Sequence, residues 1–245
     1  MQTTKKETLD RLRKEIWSLQ ERPAPPEMDD TSLFLGPLQE AFPERRFPLG
    51  AVHELLSNNM ECAAATSGFM AALISFLMKS DKSCLWVSTQ RTIFPPALKQ
   101  LGILPDRLIF IDAVREKEAL WTVEEALKCE ALAAVIGEIR NIDFKQSRRL
   151  QLAVESSRVT GFIHHLLPQQ IRPTACVSRW RIQPVASRLQ TGIPGVGHPR
   201  WQVELLKIRN GTPGSWQLEW AKGKFSAAQD TPLQKTPSLS KIGVA

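Results

Sequence analysis

The chain has 245 residues, 42% of them apolar, enough for one sizeable core with extensions or for two small ones, and too many for wholesale disorder. No uncharged apolar run of about 18 residues occurs, which argues against a membrane span, and the N-terminal stretch "MQTTKKETLDRLRKEIWSLQ" lacks the apolar centre of a secretory signal. The net charge of +7 is regional: Ser156 to Val203 contains no Asp or Glu but holds Arg158, Arg172, Arg179, Arg181, Arg188 and Arg200.

In chain order, residues 5–21 read as an amphipathic helix. Leu9, Leu12, Ile16 and Leu19 form one apolar stripe at helical spacing, with Lys and Glu opposite, and this stripe is the candidate partner-binding helix. The prolines of "RPAPPEMDD" stop the helix, and Pro37, Pro43 and Pro48 punctuate the next stretch, so 1–47 reads as a helix on a Pro-rich tether. From residue 50 short apolar strands alternate with helices. Strands are expected at 52–56, 84–88, 107–111, 132–137 and 161–167, with helices at about 61–79, 95–101, 116–129 and 144–157. That alternation implies an α/β fold, a mostly parallel sheet flanked by helices. After Pro168 the period becomes two, and strands at 175–182, 200–208 and 215–220, the last two joined by "NGTPG", add an antiparallel finish. Residues 48–222 are therefore the expected core, and 223–245 an expected flexible tail.

A polar turn, "SNNMECAAATSG" (57–68), lies between the first core strand and a long helix, where a phosphate-binding loop usually sits. It has no glycine before Gly68, and no lysine occurs between His53 and Lys79. The four cysteines (62, 84, 129, 176) form no CxxC pair and, with the four histidines, no ligand pattern, so no metal, no disulfide and no cofactor are expected. Reduced thiols suit a cytosolic protein.

The stretches "FPLGAVHELL" (47–56), "AAATSGFMAALISFL" (63–77), "LGILPDRLIFIDA" (101–113), "LWTVEEALKCEALAAVIGEI" (120–139) and "PRWQVELLKIRNGTPGSWQLEW" (199–220) carry a resemblance. The chain resembles the ImuA family, the RecA-like accessory proteins of bacterial mutagenic repair, over nearly everything from 47 to 222. The resemblance implies a RecA-like core with an N-terminal helical extension. On the RecA pattern the phosphate-loop glycines fall at Ser57 and Cys62, the lysine at Ala63 and the magnesium hydroxyl at Ala64. The water-activating acid falls at Gln90, and the acid closing the fourth strand at Gly137, with Glu138 beside it. An active loop needs those groups, so the expected site is degenerate and the chain is expected to be no enzyme.

Among other groups, Trp86, Trp121, Trp216 and Trp220 fit apolar periodic patterns and are expected in the core. His164 and His165 alternate in a strand, one expected toward the core and one at an edge. Trp180 and Trp201 each neighbour arginine, in "SRWRIQ" and "HPRWQV". With Arg172, Arg179, Arg181, Arg188 and Arg200 they form a candidate surface for single-stranded DNA, where bases stack and phosphates pair. A solvated arginine face with acidic neighbours from elsewhere in the fold is the competing reading.

The resemblance implies a non-catalytic role in SOS-induced translesion synthesis, with an ImuB-like relative of Y-family polymerases and a DnaE-type polymerase as partners. RecA and a second copy of the chain are further candidate partners, and the expected location is the cytoplasm, at the nucleoid. A SulA-like inhibitor of cell division and a diverged DNA-binding RecA-like ATPase are the alternatives.

Overall fold

Six successive buried residues, Val52–Ser57, form β1, and its place in the sheet is the reason. Parallel strands lie on both sides, β5 (Thr160–Leu166) and β6 (Ser178–Val185). The computed structural model describes residues 34–78, 81–91, 93–187 and 197–228. Within them a nine-stranded sheet runs β3-β2-β4-β5-β1-β6-β7-β8-β9. The remaining strands are β2 (Ser83–Ser88), β3 (Leu108–Asp112), β4 (Leu132–Glu138), β7 (Arg200–Ile208), β8 (Gly214–Ala221) and β9 (Lys224–Ala227). β3 through β6 are parallel across the sheet, and β7, β8 and β9 continue it antiparallel. The switch in period predicts the antiparallel β7 and β8, but the strand expected at 175–182 as part of that finish forms at Ser178–Val185 and runs parallel to β1, whose free edge it joins.

One face is covered by α1 (Met60–Leu77), whose buried side chains include Phe69, Met70 and Ile74. α1 is long and apolar enough to cross a membrane by composition alone, but 67% of it is buried within the protein, so its apolar surface is already used by packing. α2 (Pro95–Leu98) is one turn. α3 (Glu116–Ala126) and α4 (Phe144–Ser157) cover the other face. There Val123, Leu127, Leu150 and Val154 pack on Val52, Val135 and Ile163. The start of α4 is fixed by a capping box: Asp143 accepts from the Gln146 backbone N–H at 2.7 Å, and Gln146 Oε1 accepts from the Asp143 N–H at 2.8 Å.

Several expectations change. Among the described residues the compact unit already includes Phe34, ahead of the expected start at residue 48. Phe34, Leu35, Leu38, Ala41, Phe42 and Phe47 are all buried, so this part of the leader is core, not tether. Gly36 makes the approach possible: with φ 54°, its missing Cβ would stand 2.4 Å from the Phe225 carbonyl oxygen in β9. The tail loses its first residues to the sheet, since Lys224–Ala227 pairs with β8. The helix stripe of Leu9, Leu12, Ile16 and Leu19 lies outside the described residues, as do Arg188 and 229–245. Trp86 and Trp220 are core, and Trp216 is half-buried. Trp121, on the outer side of α3, is 62% exposed, against expectation. His164 and His165 are both buried, because β5 is central and helices cover both faces.

Candidate functional site

β1 ends at Ser57 and α1 begins at Met60, so Asn58 and Asn59 alone join them. A phosphate-binding loop needs several non-helical residues there, so that successive N–H groups converge on the anion. In this chain Cys62, Ala63 and Ala64 instead lie in the first turns of α1. Asn59 caps the helix from within the chain: its Oδ1 accepts from the Cys62 N–H at 2.7 Å, and its carbonyl takes the first helical bond, from the Ala63 N–H at 3.0 Å. Glu61 adds a negative charge in the first turn, where a phosphate would meet like charge. The loop is thus shortened in geometry as well as altered in composition.

Ser57 is fully buried and fastens three elements. Its Oγ lies 2.9 Å from Thr66 Oγ1 on α1 and 2.8 Å from His164 Nε2 on β5. Gln90 is exposed on the turn after β2. Gly137 has a packing reason: a Cβ there would meet Val123 Cγ2 of α3 at 2.6 Å, so a larger residue would have to displace that side chain. Its neighbour Glu138 is a poor substitute. It is buried, and its Oε1 accepts from Trp86 Nε1–H at 3.1 Å. Desolvation pushes its carboxyl up to about 7, against which the Trp86 bond works only partly. Burial likewise lowers His164 to about 3, with a smaller contribution from His165. Glu138 Oε2 and His164 Nδ1, on paired positions of β4 and β5, have no hydrogen-bond partner among the described residues.

On the opposite face Glu54 is a buried carboxylate that sequence reasoning passed over. It accepts from Arg179 Nε–H at 2.8 Å and from the Thr174 hydroxyl at 2.5 Å, and His165 Nε2 stands 3.4 Å away. Burial alone would raise its pKa, but the bonds from His165, Thr174 and Arg179 outweigh it and hold the group below the usual range. The one signal in the sequence was a lone acid inside an apolar strand, "VHELL".

The candidate DNA surface is corrected by the same alternation. Successive strand residues point to opposite faces, so an aromatic flanked by arginines cannot share a surface with them. Trp180 is 1% exposed and packs with Phe42 and Phe69, while Trp201 packs with Phe69 and Phe225. Neither has a face open to a base. The arginines find acids: Arg179 with Glu54, Arg181 with Glu204 at 3.0 Å, and Arg200, itself buried, with Glu219 at 3.7 Å. Arg172 is exposed.

The open connections at the ligand end of the sheet mix charged side chains, among them the exposed Arg91, Arg140 and Arg172, with apolar ones. Met60, Phe94, Val114, Phe144, Leu167 and Ile171 are all exposed, Val114 by 84%. Each follows the C-terminal end of a parallel strand, β1, β2, β3, β4 or, for the last two, β5. In open α/β sheets that end is where ligands bind. Among the described residues no cluster of His, Cys, Asp and Glu is arranged to hold a metal.

No family model matches the chain. The protein ImuA of Caulobacter vibrioides is 35% identical over 190 residues, covering 73% of this chain and 78% of that protein. The cell division inhibitor SulA of Serratia marcescens is 25% identical over 126 residues, covering 51% of this chain and 73% of the inhibitor. Among solved structures, the RadB recombinase superposes with a TM-score of 0.50 at 14% identity, over 75% of this chain and 93% of that one, which shows the RecA-like fold.

Proposed function

The chain belongs to the ImuA family, and from that premise we propose that it is a non-catalytic accessory protein of SOS-induced, error-prone translesion synthesis. It scaffolds partner proteins and carries out no chemistry of its own, working in the cytoplasm at the nucleoid. The observation that carries this reading is the end of the sheet where a RecA-like ATPase keeps its nucleotide. Here the loop is reduced to Asn58 and Asn59, the helix end is capped from within, and exposed apolar side chains stand on the surrounding connections. Exposed apolar groups beside a connection that lacks the phosphate-loop lysine and glycines suit a protein partner.

The partners in this reading are an ImuB-like relative of Y-family polymerases and a DnaE-type polymerase. Capture of each purified partner by the intact chain, compared with a Phe94→Asp, Val114→Asp variant, tests it. Both side chains are exposed, so the variant should keep its melting temperature and lose at least one partner. Unchanged capture of both partners would sink the assignment of this surface. DNA, if the chain touches it, is met through groups other than Trp180 and Trp201, which are core.

A second reading has one observation behind it, the partial likeness to SulA. It makes the chain an inhibitor of division, and filamentation on overexpression in cells lacking the ImuB-like partner would favour it.

A further inference from the structure

The sheet has two edges, and they are built differently. β9 ends it on one side with four residues, begins at Lys224 and lies beneath the turn at Gly36. Short length, a lysine and a covering segment are the usual protections of an edge. β3 ends it on the other side and reads Leu-Ile-Phe-Ile-Asp, without lysine, proline or bulge. Among the described residues it pairs with β2 alone. Ile109 is 48% exposed, and Phe110 and Ile111 are half-buried.

The direction of its free backbone groups follows from one bond. The Ala113 N–H donates to the Ser88 carbonyl at 2.8 Å, so Ala113 faces β2. By alternation Ile109 and Ile111 also face β2, and Leu108, Phe110 and Asp112 present their N–H and C=O groups outward. This outward set is symmetric about Phe110. In an antiparallel pair of two such strands, Phe110 meets Phe110 and exchanges both hydrogen bonds, while Leu108 meets Asp112 at each end. Every outward group of β3 is then satisfied. Ile109 of one strand meets Ile111 of the other on the α3 face, where Ile111 already touches the core. On the other face Arg91 lies 4.7 Å from the Phe110 ring centre and holds Asp112 at 2.7 Å. The charge near the join is neutralised within each copy, so no like charges are forced together.

We infer that β3 is the seam of a two-fold dimer, in which a second copy of this chain pairs its own β3 antiparallel and continues the sheet through both molecules. A two-fold seam is self-complementary by construction, and this strand meets that condition in hydrogen bonds, apolar contacts and charge.

Sedimentation of the full chain over a concentration series tests the inference, together with amide hydrogen exchange. The expected mass rises toward twice 27.5 kDa with concentration. The amides of Leu108, Phe110 and Asp112 should slow in step, while those of Ile109 and Ile111, bonded to β2 in either state, do not change. Ile109→Lys should remain monomeric at every concentration with the circular dichroism of the parent, and Ile109→Val should still dimerise. If Ile109→Lys does not fold, the alternating amide pattern of the unaltered chain decides. A monomer throughout would overturn the inference, as would a dimer that survives Ile109→Lys. Outward amides already slow in the monomer would also overturn it, because the chain itself would then cover the edge.

Discussion

Glu138 and the buried histidines set how stability depends on pH. The Glu138 carboxyl is raised from 4.5 to about 7 in the folded state. Its contribution is intact below the unfolded value and is lost as pH rises from about 4.5 through 7, on the order of 3 kcal/mol by pH 7. His53 is lowered to about 4 and His164 to about 3, chiefly by burial, so their contribution is present above 6.5 and is lost as pH falls below it. Glu138→Gln keeps an acceptor for Trp86 and removes the ionisation. Its melting temperature should exceed that of the parent by a margin that grows between pH 4.5 and 7, read from thermal melts across that range. Glu54 is the opposite case, an acid held ionised in the core by His165, Thr174 and Arg179. Arg179→Ala should cost about 3 kcal/mol or more in denaturant unfolding, because it strands a buried carboxylate. A loss well under 1 kcal/mol would show that Thr174 and His165 suffice.

At the scale of elements, the joint between β1 and α1 decides what the loop can do. Restoring the missing groups with Ala63→Lys and Ala64→Thr should not restore nucleotide binding, since only Asn58 and Asn59 separate β1 from α1 and no glycine loop is left to wrap a phosphate. Calorimetric titration of the folded variant with ATP and magnesium is the check, and saturable binding would mean that chemistry alone had been lost. In β6, Trp180→Ala should behave as a core truncation and cost about 3–5 kcal/mol in unfolding. Alternation explains both what is legible in the sequence and what is not. The strands and helices from β1 to β8 are legible because apolar periodicity follows burial directly. Trp180 misleads because its neighbours in sequence lie on the opposite face, and Arg179 finds its acid in Glu54, far away in the chain. Phe34–Phe47 misleads because proline reads as a tether, although its aromatic residues supply core. The missing lysine is legible, but the shortened loop is not, since a cap at Asn59 is a matter of geometry.

For the whole molecule, a RecA-like sheet surrounds a β1–α1 connection without the glycines, lysine and hydroxyl of a phosphate-binding loop. Ser57, Thr66 and His164 join β1, α1 and β5 by buried hydrogen bonds, and the Val123 side chain of α3 packs onto Gly137. The exposed apolar side chains beyond them fit an accessory protein that works by contact. The most direct measurement is an equilibrium titration of the full chain with a fluorescent ATP analogue and magnesium. The expected result is no saturable binding at physiological nucleotide concentration and no hydrolysis. Micromolar affinity that is abolished by substitutions between Ser57 and Ala64 would contradict the account.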